Sequence, residues 1–165
     1  MAKNVNPFCL NDEEAYLSWR QEKLAKPSPT PANCIVKIKT FLEPRKDELN
    51  AIQSHCKSFN FCFYKTDHAI QKKHLILFAN ALGLRKIVTS RNNSDTSGVA
   101  EIKVGSGKQK NRYIPFTNQP LSWHTDGYYL DHKHSVQAFL LHCIHPAKHG
   151  GVLSFLDPEI VYIRL

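Results

Sequence analysis

The sequence lacks the features that mark secreted and membrane proteins. No run of residues approaches the ~18 consecutive apolar residues of a membrane-spanning helix, and the mean hydropathy is -0.39. The first eight residues contain Lys3 but no long apolar segment after it, so they do not resemble a secretory signal. We therefore expect a cytoplasmic protein without a membrane partner.

Paired cysteines are also missing. The five cysteines are an odd number, widely spaced, and none of them forms a C-x-x-C pair, which argues against a disulfide framework or a zinc ribbon. The chain is 42% hydrophobic and 22% charged, a composition typical of globular rather than disordered proteins. Its 165 residues are enough for one domain. We expect reduced, mostly buried thiols.

The positive charge is large but scattered. Of the net charge of +8, residues 34–99 carry most. The basic pairs Lys72-Lys73 and Arg85-Lys86 are not accompanied by a stripe of aromatic residues on which bases could stack. This pattern predicts a solvated basic surface, so nucleic acid is not an expected partner.

Helix and strand signals alternate in the first half of the chain. Hydrophobic spacing, caps and breakers predict helices over 12–25, 44–57 and 67–82, and strands over 34–39, 60–64 and 99–104. Three alternate prolines within residues 26–32 predict a stiff, extended connector. We therefore divide the chain into an N-terminal helix with its connector, residues 1–33, and a main domain, residues 34–165.

The second half is expected to be mainly strand. The long apolar run at 135–144 is rich in β-branched and aromatic residues and favours a buried strand, although periodicity alone does not exclude a helix. A short strand is predicted over 152–156. Asp157-Pro158 then predicts the start of a helix. This helix has an apolar face and reaches Leu165 without a stop signal, so we expect a chain that has been cut short.

His124 and Asp126 are the residues most suggestive of chemistry. They lie two positions apart, which matches the strand period, so we predict that they sit on one strand with both side chains pointing into a common cavity. An imidazole and a carboxylate are two of the three ligands in the 2-His-1-carboxylate iron site. Taken alone, such a pair is more often merely hydrogen-bonded or solvated. The spacing therefore leaves both a metal site and a simple polar pair open.

The surrounding motifs favour the metal site. Trp123-His-Thr-Asp-Gly-Tyr-Tyr129 is followed by His142-Cys-Ile-His-Pro146 and then by Gly150-Gly-Val-Leu-Ser-Phe-Leu-Asp157. This order resembles the taurine dioxygenase-like (TauD/TfdA) family of Fe(II)/2-oxoglutarate-dependent oxygenases, most closely over residues 114–165. The resemblance implies an α+β fold, a double-stranded β-helix (jelly roll) with flanking helices, incomplete at its C-terminus.

The resemblance also implies a set of site residues. His124 and Asp126 would bind Fe(II), and Ser154 is the nearest candidate for a contact to the co-substrate 2-oxoglutarate after the glycine pair. In the family, the second histidine ligand and an arginine that anchors 2-oxoglutarate follow well after the H-x-D segment, beyond Leu165. His142, His145 and His149 are expected to be ordinary histidines, with a substitute third ligand as a minor alternative.

Two functions remain open from the sequence. The chain is either a dioxygenase that hydroxylates a small organic substrate, or a piece of one. Alternatively, it is a non-catalytic remnant that acts as a basic interaction module. With two protein ligands, we expect the 165-residue chain to bind Fe(II) weakly and to form no succinate from 2-oxoglutarate.

Overall fold

The computed structural model of the chain describes residues 6–86, 98–104 and 114–165. Residues 1–5, for which the expectation is that they form no secretory signal, lie outside the described residues. The chain divides into a first unit, Met1–Ala69 with Ile144–Leu165, and a second unit, Ile70–Cys143. The helices are α1 (Glu13–Ala25), α2 (Lys46–Phe59), α3 (Lys72–Ala81) and α4 (Pro158–Arg164), and the strands are β1 (Ile35–Lys37) and β2 (Phe63–Lys65).

A β-α-β motif forms the centre of the first unit. Strands β1 and β2 are parallel, with Ile35 opposite Phe63, and the backbone N–H of Ile38 donates to the carbonyl of Lys65 at 2.8 Å. Parallel neighbours need a crossover connection, which helix α2 supplies. Cys34, Ile38 and Ile52 are buried. The predicted strand-helix-strand order of this region is therefore confirmed.

Helices α1 and α4 contact each other within the first unit. Each begins at an aspartate: the Asp12 side chain accepts a hydrogen bond from the N–H of Ala15, and that of Asp157 accepts one from the N–H of Glu159. Carboxylates at this position satisfy N–H groups that have no partner inside the helix. The predicted helix starts at both places are confirmed, and α1 is attached to the body of its unit rather than separate from it. The division at residue 33 stays a prediction.

Helix α3 begins later than predicted. The sequence placed its cap at Asp67, but that carboxylate forms an ion pair with Lys37 at 2.6 Å, and the helix begins at Lys72. At the actual start, the backbone N–H of Gln71 donates to Nδ1 of His74 at 3.3 Å. Asp67 therefore pairs with Lys37 and does not cap α3.

Three predicted strands are not formed. Residues 99–104, 135–144 and 152–156 all lie in the described ranges and contain neither strand nor helix. In the apolar run, Phe139 is 55% exposed rather than buried. Apolar and β-branched composition shows only that a segment would suit a sheet, because a strand also needs a neighbour for its backbone hydrogen bonds.

The described residues are α+β, with four α-helices and a two-stranded parallel sheet. That small sheet neither confirms nor contradicts the jelly roll implied by the resemblance. Within the same residues, no helix is both long enough and apolar enough to cross a membrane.

Candidate metal centre

The segment that contains His124 and Asp126 is a loop in the second unit. The predicted strand is wrong here: residues 120–125 are irregular, and a turn begins at Asp126. Gly127 follows with a positive φ of 73°, and its carbonyl accepts a hydrogen bond from the N–H of Leu130 at 2.9 Å. The turn therefore reverses the chain directly after the carboxylate.

The two side chains nevertheless approach each other. Nε2 of His124 lies 3.5 Å from Oδ1 of Asp126. The other ring nitrogen of His124, Nδ1, lies 2.8 Å from the carbonyl oxygen of Ser122. A carbonyl can only accept, so Nδ1 must carry the proton of that hydrogen bond. In the neutral ring, Nε2 then keeps its lone pair and faces the carboxylate.

This orientation is the one that metal-binding histidines use. Such residues commonly donate their second ring N–H to a backbone carbonyl or carboxylate, which fixes the tautomer and the direction of the ring. The carbonyl of Ser122 has this role for His124. The loop therefore presents one nitrogen and one carboxylate oxygen, held side by side, without needing a strand to align them.

The separation of the two atoms suits a shared metal better than a direct hydrogen bond. Charge-assisted hydrogen bonds span about 2.7–2.9 Å, and the observed 3.5 Å is longer. Two ligands that each lie about 2.1 Å from one ion are roughly 3–4 Å apart. Nitrogen with oxygen is also a donor set that Fe(II) accepts. The two residues fit a divalent metal as two of its ligands.

Among the described residues, no third protein ligand is brought to this pair. In the parts of the chain that the structure describes, no group of three or more His, Cys, Asp or Glu is arranged to hold a metal ion. The side chains of His124 and Asp126 are 37% and 49% exposed, so water can reach the remaining positions. His142 is one of the histidines that the sequence leaves as an alternative third ligand. Burial lowers its pKa, which favours the neutral form of its imidazole.

The glycine pair and Ser154 lie in the first unit. Gly150 and Gly151 both have positive φ, at 70° and 71°, a conformation that glycine adopts without steric cost. Ser154 is exposed, in a segment that is neither helix nor strand. Its assignment to the co-substrate stays a prediction.

Two contributions to the site were missed from the sequence. Ser122 acts through its backbone carbonyl, which any residue possesses, so no sequence signal marks it. Gly127 did have a signal, since Asp-Gly is a common turn dipeptide. A side chain at Gly127 would be crowded, because its Cβ would lie 2.6 Å from Cγ2 of Val136.

Comparison with known proteins agrees with these motifs. The family described as "Taurine catabolism dioxygenase TauD, TfdA family" matches residues 24–165, and the chain belongs to this family. The match confirms the resemblance and extends it towards the N-terminus, through the β-α-β motif. No curated protein and no solved structure gives a match. Membership indicates oxygenase-type chemistry at the level of the family.

Proposed function

We propose that the chain is an Fe(II)/2-oxoglutarate-dependent dioxygenase that hydroxylates a small organic substrate in the cytoplasm, or a piece of such an enzyme. The observation that carries the proposal is the His124–Asp126 pair, with its imidazole oriented by a backbone carbonyl, in a chain of the TauD/TfdA family. The proposed fold of the catalytic part is the jelly roll of that family.

The proposed roles of the residues follow from their chemistry. His124 binds iron through Nε2, and the Ser122 carbonyl keeps the ring in the tautomer that leaves this nitrogen available. Asp126 supplies an anionic oxygen that offsets part of the metal charge. Iron held by these residues would, with 2-oxoglutarate and O₂, supply the oxidant for C–H hydroxylation, and the co-substrate would leave as succinate and CO₂.

Ser154 is the proposed contact for 2-oxoglutarate. A serine hydroxyl can donate a hydrogen bond to a carboxylate, and a hydrogen bond to a charged group contributes about 1.5–3 kcal/mol. Ser154→Ala is therefore expected to weaken 2-oxoglutarate binding roughly tenfold or more, and to leave metal affinity unchanged.

The alternative is a non-catalytic remnant that acts as a basic interaction module. It is favoured by the finding that no group of three or more His, Cys, Asp or Glu among the described residues is arranged to hold a metal ion. The two functions differ in one measurable property. A dioxygenase, or a piece of one, binds 2-oxoglutarate through the metal, whereas a remnant has no metal-dependent affinity for it.

The test is binding of 2-oxoglutarate by equilibrium dialysis, with and without Mn(II) as a redox-inactive substitute for Fe(II). We expect retention of 2-oxoglutarate only when Mn(II) is present, and loss of retention in His124→Ala and Asp126→Ala. His149→Ala removes an exposed histidine and is the matched control. Retention that is independent of Mn(II), or unaffected by both substitutions, would overturn the proposal, and absent retention would support the remnant.

A further inference from the structure

A cavity of about 250 Å³ lies where α1 begins, in the first unit. The residues that line it include the aromatic Phe8, Tyr16 and Tyr162 and the acidic Asp12 and Glu13. Most of these residues precede the part of the chain that matches the TauD/TfdA family, and Tyr162 is the exception. Neither His124 nor Asp126 is among the residues that line the cavity.

The rings form a connected cluster. Tyr162 lies 5.7 Å from Phe8 and 6.1 Å from Tyr16 between ring centroids, with interplanar angles of 68° and 84°. Trp19 joins the cluster at 5.0 Å from Phe8. At these steep angles the rings pack edge to face. The face of an aromatic ring is electron-rich and attracts cations.

The charge of the lining has one sign. Among the residues that the structure describes, the cavity is lined by two carboxylates and by no lysine, arginine or histidine, although the chain as a whole has a net charge of +8. Asp12 is fixed in place because its side chain accepts the N–H of Ala15 at 3.1 Å. The lining therefore favours a positively charged ligand over an anionic or neutral one.

The helices that contribute Tyr16 and Tyr162 are joined by buried charges. Lys23 of α1 forms an ion pair with Asp157, at the start of α4, at 2.7 Å. Lys23 also pairs with Glu159. These contacts hold α1 against α4, so the cavity walls are positioned before any ligand arrives. Such preorganisation lowers the entropic cost of binding.

We propose that this cavity binds an organic cation that carries a quaternary or methylated ammonium group. Aromatic faces together with carboxylates are a common means of recognising such groups. The lining also includes Pro7 and Leu10, whose apolar surfaces suit methyl groups better than a strongly hydrated ammonium. Two acidic residues among apolar ones supply too few oxygen ligands for Ca²⁺, which takes about 6–8.

The test compares choline with its neutral carba-analogue, in which a carbon atom replaces the nitrogen. Trp123→Phe leaves Trp19, which is part of the ring cluster, as the fluorescent reporter among the chain's two tryptophans. In that background we expect a saturable response to choline and an affinity for the analogue that is at least roughly tenfold lower. Equal affinities, or no saturable response to choline, would overturn the proposal.

Substitutions then locate the site. Tyr162→Leu is expected to abolish the choline response, while Tyr129→Leu, at an exposed tyrosine of the second unit, leaves it unchanged. Glu13→Gln removes one charge from an exposed position and is expected to weaken choline binding severalfold without affecting folding. A choline response that survives both Tyr162→Leu and Glu13→Gln would contradict the assignment. The outcome does not depend on Mn(II) or 2-oxoglutarate.

Discussion

Gly127 has a backbone conformation that other residues adopt at a cost. Its φ is 73°, and an added Cβ would lie 2.6 Å from Cγ2 of Val136. Gly150 has a similar φ of 70°, but a Cβ added there would meet no atom within 4 Å. A substitution at Gly150 therefore has only the cost of the left-handed backbone conformation, whereas one at Gly127 has that cost and the cost of a steric clash.

We expect Gly127→Ala to destabilise the protein more than Gly150→Ala does. The left-handed conformation costs alanine about 1–2 kcal/mol at either site, and overpacking adds roughly 1–3 kcal/mol at Gly127 alone. Urea unfolding of both variants measures the difference. Equal losses in the free energy of unfolding would show that Val136 moves away without cost.

The thiol of Cys62 is expected to react slowly. Its pKa is raised to about 12, mainly by burial and to a smaller extent by the neighbouring thiols of Cys34 and Cys56. The reactive species is the thiolate, and a thiol of that pKa is ionised to about one part in 10⁴ at pH 8. Iodoacetamide should label the exposed Cys143 at least roughly 100-fold faster, as followed by mass spectrometry of the peptides. Comparable labelling rates for Cys62 and Cys143 would contradict the raised pKa of Cys62.

The approach of His124 to Asp126 could be predicted from the sequence, although the reason given for it was wrong. We expected a strand to align the two side chains, and the structure has a loop and a turn. Residues at i and i+2 remain close enough to share a ligand in many conformations, so the spacing predicts proximity without a sheet. The contact between Nδ1 of His124 and the Ser122 carbonyl could not be predicted, because it depends on the path of the backbone.

At the scale of elements, α1 and α4 are held together by a buried group of charges. Nζ of Lys23 contacts Asp157 at 2.7 Å, and the two side chains are only 4% and 5% exposed. The same nitrogen contacts Glu159 and donates to the carbonyl of Ser58 at 2.8 Å. Asn60 donates to Asp157 at 2.8 Å and ties the end of α2 to the same group.

We expect Lys23→Met to cost about 3–5 kcal/mol in the free energy of unfolding, because it leaves the buried carboxylate of Asp157 without its partner. Lys26→Met, at an exposed lysine three residues later, should change it by less than about 0.5 kcal/mol. Urea denaturation compares the two variants. Similar values for both would mean that the ion pairs contribute little beyond the cost of burying them.

The pKa of Lys23 adds a pH dependence to this comparison. Burial lowers it, but the hydrogen bonds and charges of Asp157 and Glu159 outweigh burial and raise it above its ordinary value. The folded pKa then exceeds the unfolded value of about 10.4, so this stabilisation is complete below that pH and is lost as pH rises through the folded pKa. Above about pH 10.4, wild-type stability should fall more steeply than that of Lys23→Met.

Helices could be predicted from the sequence better than strands. Asp12 and Asp157-Pro158 mark helix starts through contacts within one turn, which the local sequence contains. The run 135–144 has the composition of a buried strand but forms none. Strand formation depends on a partner that lies far away in sequence, and composition does not reveal whether that partner is present.

At the scale of the whole molecule, the family could be predicted from short motifs. Trp123-His-Thr-Asp126 and Gly150-Gly151 each occupy a few residues, and the match over 24–165 confirms what they indicated. Among the described residues, no third metal ligand joins the pair. The cavity at α1 was also missed, since it brings Phe8 and Tyr162 together from opposite ends of the sequence.

The central claim is that His124 and Asp126 bind Fe(II) together. Anaerobic titration of the 165-residue chain with Fe(II) tests it most directly. We expect weak binding of one ion by the wild type, a loss of at least roughly tenfold in affinity in both His124→Ala and Asp126→Ala, and no change in His149→Ala. Fe(II) binding that is equally tight in the wild type, His124→Ala and Asp126→Ala would contradict the account.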